Sequence, residues 1–257
     1  MLIIAPPSES KRQPPESGPP LALDELSFPA LNPMRRRVLR ALTQTSMQPD
    51  AFERLRVGPA LVADVARDTH LRDVPTLTAL AVYSGPLHQG LDAATLTEAG
   101  RLRAEQQLLV VSALWGALRP ADRIPPYRLH VCARLVGLER LEPGWRTVLP
   151  SVLAHAAGPA GVVLDLRSSA YQAIGKPTGA ASRTVTLRVL PESGERNIGD
   201  VVAKRIRGQV ARYVLECAQE PAGVDDLADL LGERWPIRLD PPAGPSQSWT
   251  IRLRPRD

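Results

Sequence analysis

Three short apolar runs constrain this chain more than any other feature. Met1-Leu2-Ile3-Ile4-Ala5, Leu108-Leu109-Val110-Val111-Ser112 and Gly161-Val162-Val163-Leu164-Asp165-Leu166 are each too short for a core helix and too uniformly apolar for a strand with one wet face. Such runs read as strands covered on both sides, as in sheets sandwiched between helices. The first run stops at Pro6-Pro7, which cannot continue a hydrogen-bonded ladder. Helices are expected over Asn32–Thr43, where Asn32-Pro33 supplies a cap and a proline in the first turn, over Leu96–Gln106, over Leu149–Ala157, and over the amphipathic stretch Val201–Cys217. Further strands are expected at Thr78–Tyr83, which ends at Ser84-Gly85-Pro86, at the alternating segment Thr184–Val189, and near Trp249–Leu253. Arg12–Pro20, rich in Pro, Gln, Glu and Ser, reads as a loop or flap. No internal repeat or linker interrupts the pattern, so the expectation is one α/β or α+β domain over residues 1–257, a mixed sheet flanked by helices.

With 257 residues and 44% hydrophobic content, the chain can bury a large core without disulfide or metal staples. Cys132 and Cys217 are far apart, which fits a reducing cytoplasm, and His70, His88, His130 and His155 are scattered, so no metal or cofactor is expected. The N-terminus lacks a signal peptide's basic start, and no apolar run approaches the ~20 residues of a membrane helix. A soluble, cytoplasmic protein with no membrane partner is therefore expected. Lys+Arg number 32 against 27 Asp+Glu, giving a net charge of +5. Most of the basic residues are arginine, whose planar fork suits phosphate or carboxylate; the same bias also follows from a GC-rich genome.

Four groups of residues carry candidate chemistry. Ser8, Glu9 and Lys11 place a hydroxyl, a carboxylate and an ammonium just past the first buried strand, where ligands bind in open α/β sheets. Arg119, Asp122, Tyr127 and Arg128 follow the third buried strand in a frame stiffened by Pro120, Pro125 and Pro126, and form either a phosphate clamp or an Arg119–Asp122 ion pair. Asp165, Arg167, Ser168 and Tyr171 end the next strand; Asp165 is a general base or a helix cap. Lys204, Gly208 and Arg212 share one helix face at a spacing of four, with Arg205 and Arg207 beside them. If the strands are parallel, the first three groups meet at one sheet edge. Phe52–Val65 reads as two short helices around Gly58-Pro59, the outline of half a helix-hairpin-helix with one glycine and a proline that lacks a donor. The chain has no phosphate-binding loop, dinucleotide fingerprint or nucleophile elbow.

The run Ser112-Ala113-Leu114-Trp115-Gly116-Ala117-Leu118-Arg119-Pro120, continuing to Pro126-Tyr127-Arg128-Leu129, resembles the hallmark of the YaaA family of peroxide-stress proteins. Pro6-Pro7-Ser8-Glu9, Tyr83-Ser84-Gly85 with Gly90-Leu91, Asp165–Tyr171, and Lys204–Gly208 leading to Arg212 agree in the same order. Ser10 departs by standing where the family commonly carries glycine, and Asn197–Ala203 lacks the family's usual flavour before the lysine. The resemblance implies an unusual α/β fold with a basic cleft and DNA binding through a helix-hairpin-helix element, without an established reaction. Two expectations follow. One is a protein that binds DNA or a nucleotide-like anion through Ser8, Lys11, Arg119, Arg128, Arg167, Ser168, Tyr171, Lys204, Arg207, Gly208 and Arg212. The other is an enzyme acting on a nucleotide or nucleoside, with Glu9, Asp165 and Tyr127 as candidate catalytic groups. The sequence leaves the oligomeric state unknown.

Overall fold

The computed structural model describes residues 1–191 and 198–255; Asn197, part of the departure noted above, lies outside them. The chain opens with β1 (Leu2–Ala5), followed by α1 (Asn32–Ser46), α2 (Ala51–Leu55) and α3 (Val62–Arg67). Next come β2 (Leu77–Thr78), α4 (Ala79–Val82), α5 (Pro86–Leu91), α6 (Glu98–Gln107), β3 (Leu108–Ser112), β4 (Gly116–Leu118) and β5 (Arg123–Ile124). The second half comprises α7 (Leu141–Arg146), α8 (Leu149–Ala157), β6 (Val163–Asp165), α9 (Ser169–Ala173), β7 (Thr184–Val189), α10 (Asp200–Glu216), α11 (Val224–Gly232), β8 (Ile237–Asp240) and β9 (Trp249–Leu253).

Seven strands form one mixed sheet in the order β4-β3-β1-β6-β7-β9-β8, as a flanked mixed α/β sheet requires. The five inner strands run parallel, and the antiparallel β4 and β8 close the two edges. β1 lies between β3 and β6, and all four of its residues are buried. Leu2 and Ile4 face one apolar layer and Ile3 and Ala5 the other, the period-two alternation of a strand buried on both sides. Each fully buried isoleucine contributes roughly 2 kcal/mol of apolar burial. A strand buried this way leaves polar side chains only its ends. The carboxyl ends of β1, β3 and β6 therefore open on one edge.

One expected element differs. Thr78–Tyr83 is not a strand: β2 pairs with β5 for two residues, and the chain then turns into α4. Ala79-Leu80-Ala81-Val82 has the alanine content of a helix, and the amide of Tyr83 closes the turn on the Ala79 carbonyl at 3.3 Å. The expected pair of short helices around Gly58-Pro59 is present as α2 and α3. Its hairpin carries little phosphate-binding capacity, because Pro59 has no amide and the Leu61 amide bonds to the Gly58 carbonyl at 3.0 Å.

The layer of α5 and α10 rests on two glycines. A Cβ at Gly208 would overlap the Leu87 carbonyl oxygen, and one at Gly90 would overlap the Arg205 carbonyl oxygen. Helix backbone, not a ligand, thus explains the retained Gly208. Gly208→Ala should lower the unfolding free energy by at least about 2 kcal/mol through overpacking against backbone. Gly58→Ala, whose Cβ meets nothing within 4 Å, should stay within about 0.5 kcal/mol of wild type in the same urea titration.

Candidate anion-binding site

The loop leaving β1 is stitched to the start of α5. Ser8 Oγ donates to the Ser10 carbonyl at 2.6 Å and accepts from the Gly85 amide at 2.8 Å, so this hydroxyl shapes the loop. The Ser84 amide bonds to the Ser10 carbonyl at 3.1 Å, and Lys11 forms an antiparallel bridge with Tyr83. Pinned in this way, Lys11 turns its side chain inward. Its Nζ donates to the Ser8 carbonyl at 2.7 Å and reaches toward the Glu9 carbonyl at 3.4 Å, 4.3 Å from the centre of the Tyr127 ring. No carboxylate among the described residues lies within ion-pairing distance of it. Burial, and secondarily the Arg128 charge, bring its pKa down to about 7 against the attraction of Asp68, Glu9 and Asp64.

Beneath Lys11 runs a chain of hydroxyls. Ser112 Oγ, at the end of β3, accepts from the amides of Leu114 and Trp115, each at 3.1 Å. With both lone pairs taken, its proton goes to the Tyr127 hydroxyl at 2.7 Å, and Tyr127 shares a further bond of 3.0 Å with Tyr83. Burial raises the pKa of both tyrosines, so they remain neutral donors at physiological pH.

Arg128 lies over this layer. Its Nη2 pairs with Glu9 Oε2 at 2.9 Å and its Nη1 donates to the Glu9 carbonyl at 3.0 Å. The fully buried Asp68 fixes the backbone below by accepting the Arg128 amide at 3.0 Å. Burial raises the Asp68 pKa well above the ordinary aspartate value, so this carboxylate sits at an energetic cost. His130 Nδ1 accepts from the Cys132 amide at 3.1 Å, so the neutral ring carries its proton on Nε2, 3.7 Å from Glu9 Oε1. Partial burial lowers the His130 pKa; Glu9 opposes this, while Arg128, Arg56 and Lys204 reinforce it. Three cations thus act on one histidine ring at the site mouth. Tyr171, from α9, packs edge-on against that ring at 6.3 Å.

Asp165 and Arg167 underpin the site. Arg167 Nε and Nη2 donate to the two Asp165 oxygens at 2.8 and 2.7 Å, and Nη1 donates to the Tyr171 and Gly175 carbonyls at 3.2 and 2.9 Å. The pair is sealed from solvent, with side-chain exposures of 1% and 0%. An anion has no path to this guanidinium. Both residues hold the loop that presents Ser168 and Tyr171. Removing one partner of such a pair costs about 3–5 kcal/mol.

Arg119 and Arg212 lie elsewhere. β4 runs back antiparallel to β3, so Arg119 emerges at the opposite sheet edge, where its Nη1 caps α6 through the Gln106 carbonyl at 2.8 Å. Arg212 closes the end of α5 through the Asp92 carbonyl at 2.8 Å. The expected Arg119–Asp122 contact exists in a different form: Asp122 Oδ2 accepts the Arg119 amide at 2.8 Å, leaving the guanidinium out. Arg207 is partly buried on α10, and its Nε has no partner among the described residues. Lys204 pairs with Asp200 at 2.6 Å on α10, and its charge helps lower the His130 pKa. Arg56, Asp68, Tyr83, Ser112 and His130 join the site without having been singled out in sequence. Tyr83 and Ser112 lie in the family-like segments and His130 sits two residues past Arg128, whereas Arg56 and Asp68 carried no signal.

Fold and site together define a mixed α/β protein that brings Lys11, Glu9, Tyr127, Arg128 and His130 together at the carboxyl edge of its parallel strands. Residues 1–236 match the family model described as peroxide stress protein YaaA. A UPF0246 protein of Streptomyces coelicolor is 37% identical over 255 residues, covering 98% of this chain and 97% of that protein. A UPF0246 protein of Corynebacterium efficiens is 36% identical over 234 residues, covering 90% of this chain and 91% of its own length. One from Salinispora tropica is 30% identical over 259 residues, covering 96% and 93%. This chain belongs to the YaaA (UPF0246) family of peroxide-stress proteins. Among the described residues no helix is long and apolar enough to cross a membrane.

His88 supplies a pH-dependent test of the site floor. Its Nε2 meets the Pro6 carbonyl at 3.2 Å, its Nδ1 is buried without a partner, and burial lowers its pKa to about 4 from 6.5. The folded state keeps this ring neutral while the unfolded chain takes up a proton below pH 6.5. The stabilisation is therefore present above pH 6.5 and is lost as pH falls toward 4. Urea titrations at pH 6.5 and 5 should differ by about 1.5 kcal/mol from this residue, a difference absent in His88→Gln.

Proposed function

We propose that this protein serves the peroxide-stress response by binding a phosphate-bearing ligand, a nucleic acid or a nucleotide, at the pocket around Lys11. The observation carrying this reading is that Lys11 and Arg128 both reach the Glu9 carbonyl at the carboxyl edge of a parallel sheet, while the charges of Arg128, Arg56 and Lys204 act on the neighbouring His130. Arg128 contributes a planar fork, Lys204 and Arg56 add flexible charge at the rim, and Tyr171 and His130 offer ring faces against which a base stacks. Glu9 occupies the Arg128 fork in the ligand-free protein and exchanges with an incoming phosphate. Backbone phosphate contacts of this kind confer little sequence preference and a steep salt dependence. DNA bound in a basic cleft over this pocket, as the family resemblance implies, is one form of the proposal. A nucleotide- or nucleoside-processing enzyme in the cytoplasm is the second, and it is favoured by the hydroxyl chain of Ser112, Tyr127 and Tyr83 beneath the amine.

The test is fluorescence anisotropy with a labelled oligonucleotide, single- and double-stranded, over a salt series. An Arg56→Ala, Lys204→Ala double variant should bind about tenfold or more weakly, with a salt slope reduced by about two. Arg119→Ala and Arg212→Ala, which remove helix-capping groups away from the pocket, should bind within about twofold of wild type once folding is confirmed by circular dichroism. Unchanged affinity in the double variant contradicts the reading.

A further inference from the structure

The chain contains only three lysines, Lys11, Lys176 and Lys204, among its 32 basic residues. Arginine matches lysine as a cation almost anywhere on a surface, but it cannot lose its proton under physiological conditions and cannot form an imine. A partly buried lysine without an acidic partner in so arginine-rich a chain therefore marks a position where a primary amine is wanted. Lys204 and Lys176 are ordinary by comparison: the first pairs with Asp200 at 2.6 Å, and the second is exposed in the loop after α9. Lys11 is the exception. The nearest acid in sequence, Glu9, has its carboxylate turned to Arg128 at 2.9 Å, so the amine is left with carbonyl acceptors and no counter-ion.

We propose that the Lys11 amine forms an imine with the aldehyde of a ring-opened pentose phosphate, whose phosphate is held by Arg128, Arg56 and Lys204. The proposal rests on the anion-binding reading above and adds a covalent step to it. The lowered Lys11 pKa makes a large fraction of the amine neutral and nucleophilic near pH 7. Its nitrogen lone pair attacks the aldehyde carbon, a C–N bond forms, and the carbonyl π pair becomes an oxyanion that takes the proton released by nitrogen. The resulting hydroxyl takes a second proton and leaves as water, giving a protonated imine with no net oxidation or reduction. The second proton is supplied by water at this partly exposed position. The imine's positive charge stays at the position the ammonium held, 4.3 Å from the centre of the Tyr127 ring.

A pentose aldehyde next to a phosphate arises in two settings, a free sugar phosphate and an abasic site in DNA. Both are used as probes: ribose 5-phosphate, and an oligonucleotide carrying one abasic site. Each is incubated with wild-type, Lys11→Arg and Lys11→Met protein in the presence of sodium cyanoborohydride, then analysed by intact mass and peptide mapping. The expected result is one adduct on Lys11, equal in mass to the probe plus two hydrogens less one water. Its yield should fall at least about tenfold in both variants, while the folded wild-type protein binds intact oligonucleotide in the anisotropy assay. Trapping by only one of the two probes supports the imine and identifies its source. Equal trapping in the variants, or adducts spread evenly over Lys176 and Lys204, with oligonucleotide binding intact, overturns the imine and leaves the anion-binding reading standing. If folded wild-type protein neither binds oligonucleotide nor is trapped by either probe, both fall.

Discussion

β1 is the constraint on which the rest of the structure depends. Four residues with no wet face admit no polar group along their length, so the first side chains able to do chemistry are those just past Pro6-Pro7. Because β3 and β6 flank it in parallel, the same edge also receives Ser112 and the loop that follows Asp165. The pocket is a consequence of strand direction. Where direction reverses, as at β4, the residues that follow leave for the other edge, which is why Arg119 caps a helix while Tyr127, reached after the β5 turn, comes back to meet Ser112.

The charges within the pocket are of two kinds. Asp165 and Arg167 satisfy each other in full, and their role is to hold the α9 loop in place. Glu9 and Arg128 are bound more loosely: the arginine is only partly exposed, but the carboxylate is open to water and can be displaced. Lys11 stands between these, partly buried and without a carboxylate partner among the described residues. Asp68 adds an unfavourable buried carboxylate whose compensation is the Arg128 amide it fixes. Natural chains retain such costs at sites where geometry serves function.

Much of this was legible in the sequence. The buried strands announced themselves by runs too apolar to have a solvent face, and the helices over Asn32–Ser46 and Asp200–Glu216 by their periodicity. Thr78–Tyr83 misled because Ala79-Leu80-Ala81-Val82 satisfies strand and helix patterns alike, and only the brevity of the β2–β5 pairing decides between them. Ser8, Glu9, Lys11, Tyr127, Arg128 and Tyr171 were found together because each follows a strand end or the return from one. Arg119 and Arg212 were misplaced in that group because charge and spacing do not record which edge of a sheet a hairpin returns to. Asp68 gave no signal, because its role comes from a tertiary contact with the Arg128 amide sixty residues away. Gly208, expected among the anion-binding residues, instead makes a close approach to the backbone of α5.

The central claim is that Lys11 is a partly buried amine with no counter-ion among the described residues, poised near neutrality. With only three lysines in the chain, selective isotopic labelling gives three ε-carbon signals to follow by NMR in the folded protein. The signal assigned to Lys11 by its loss in Lys11→Arg should titrate near pH 7. Movement of that signal only near the free-lysine value of about 10.4 would contradict the account.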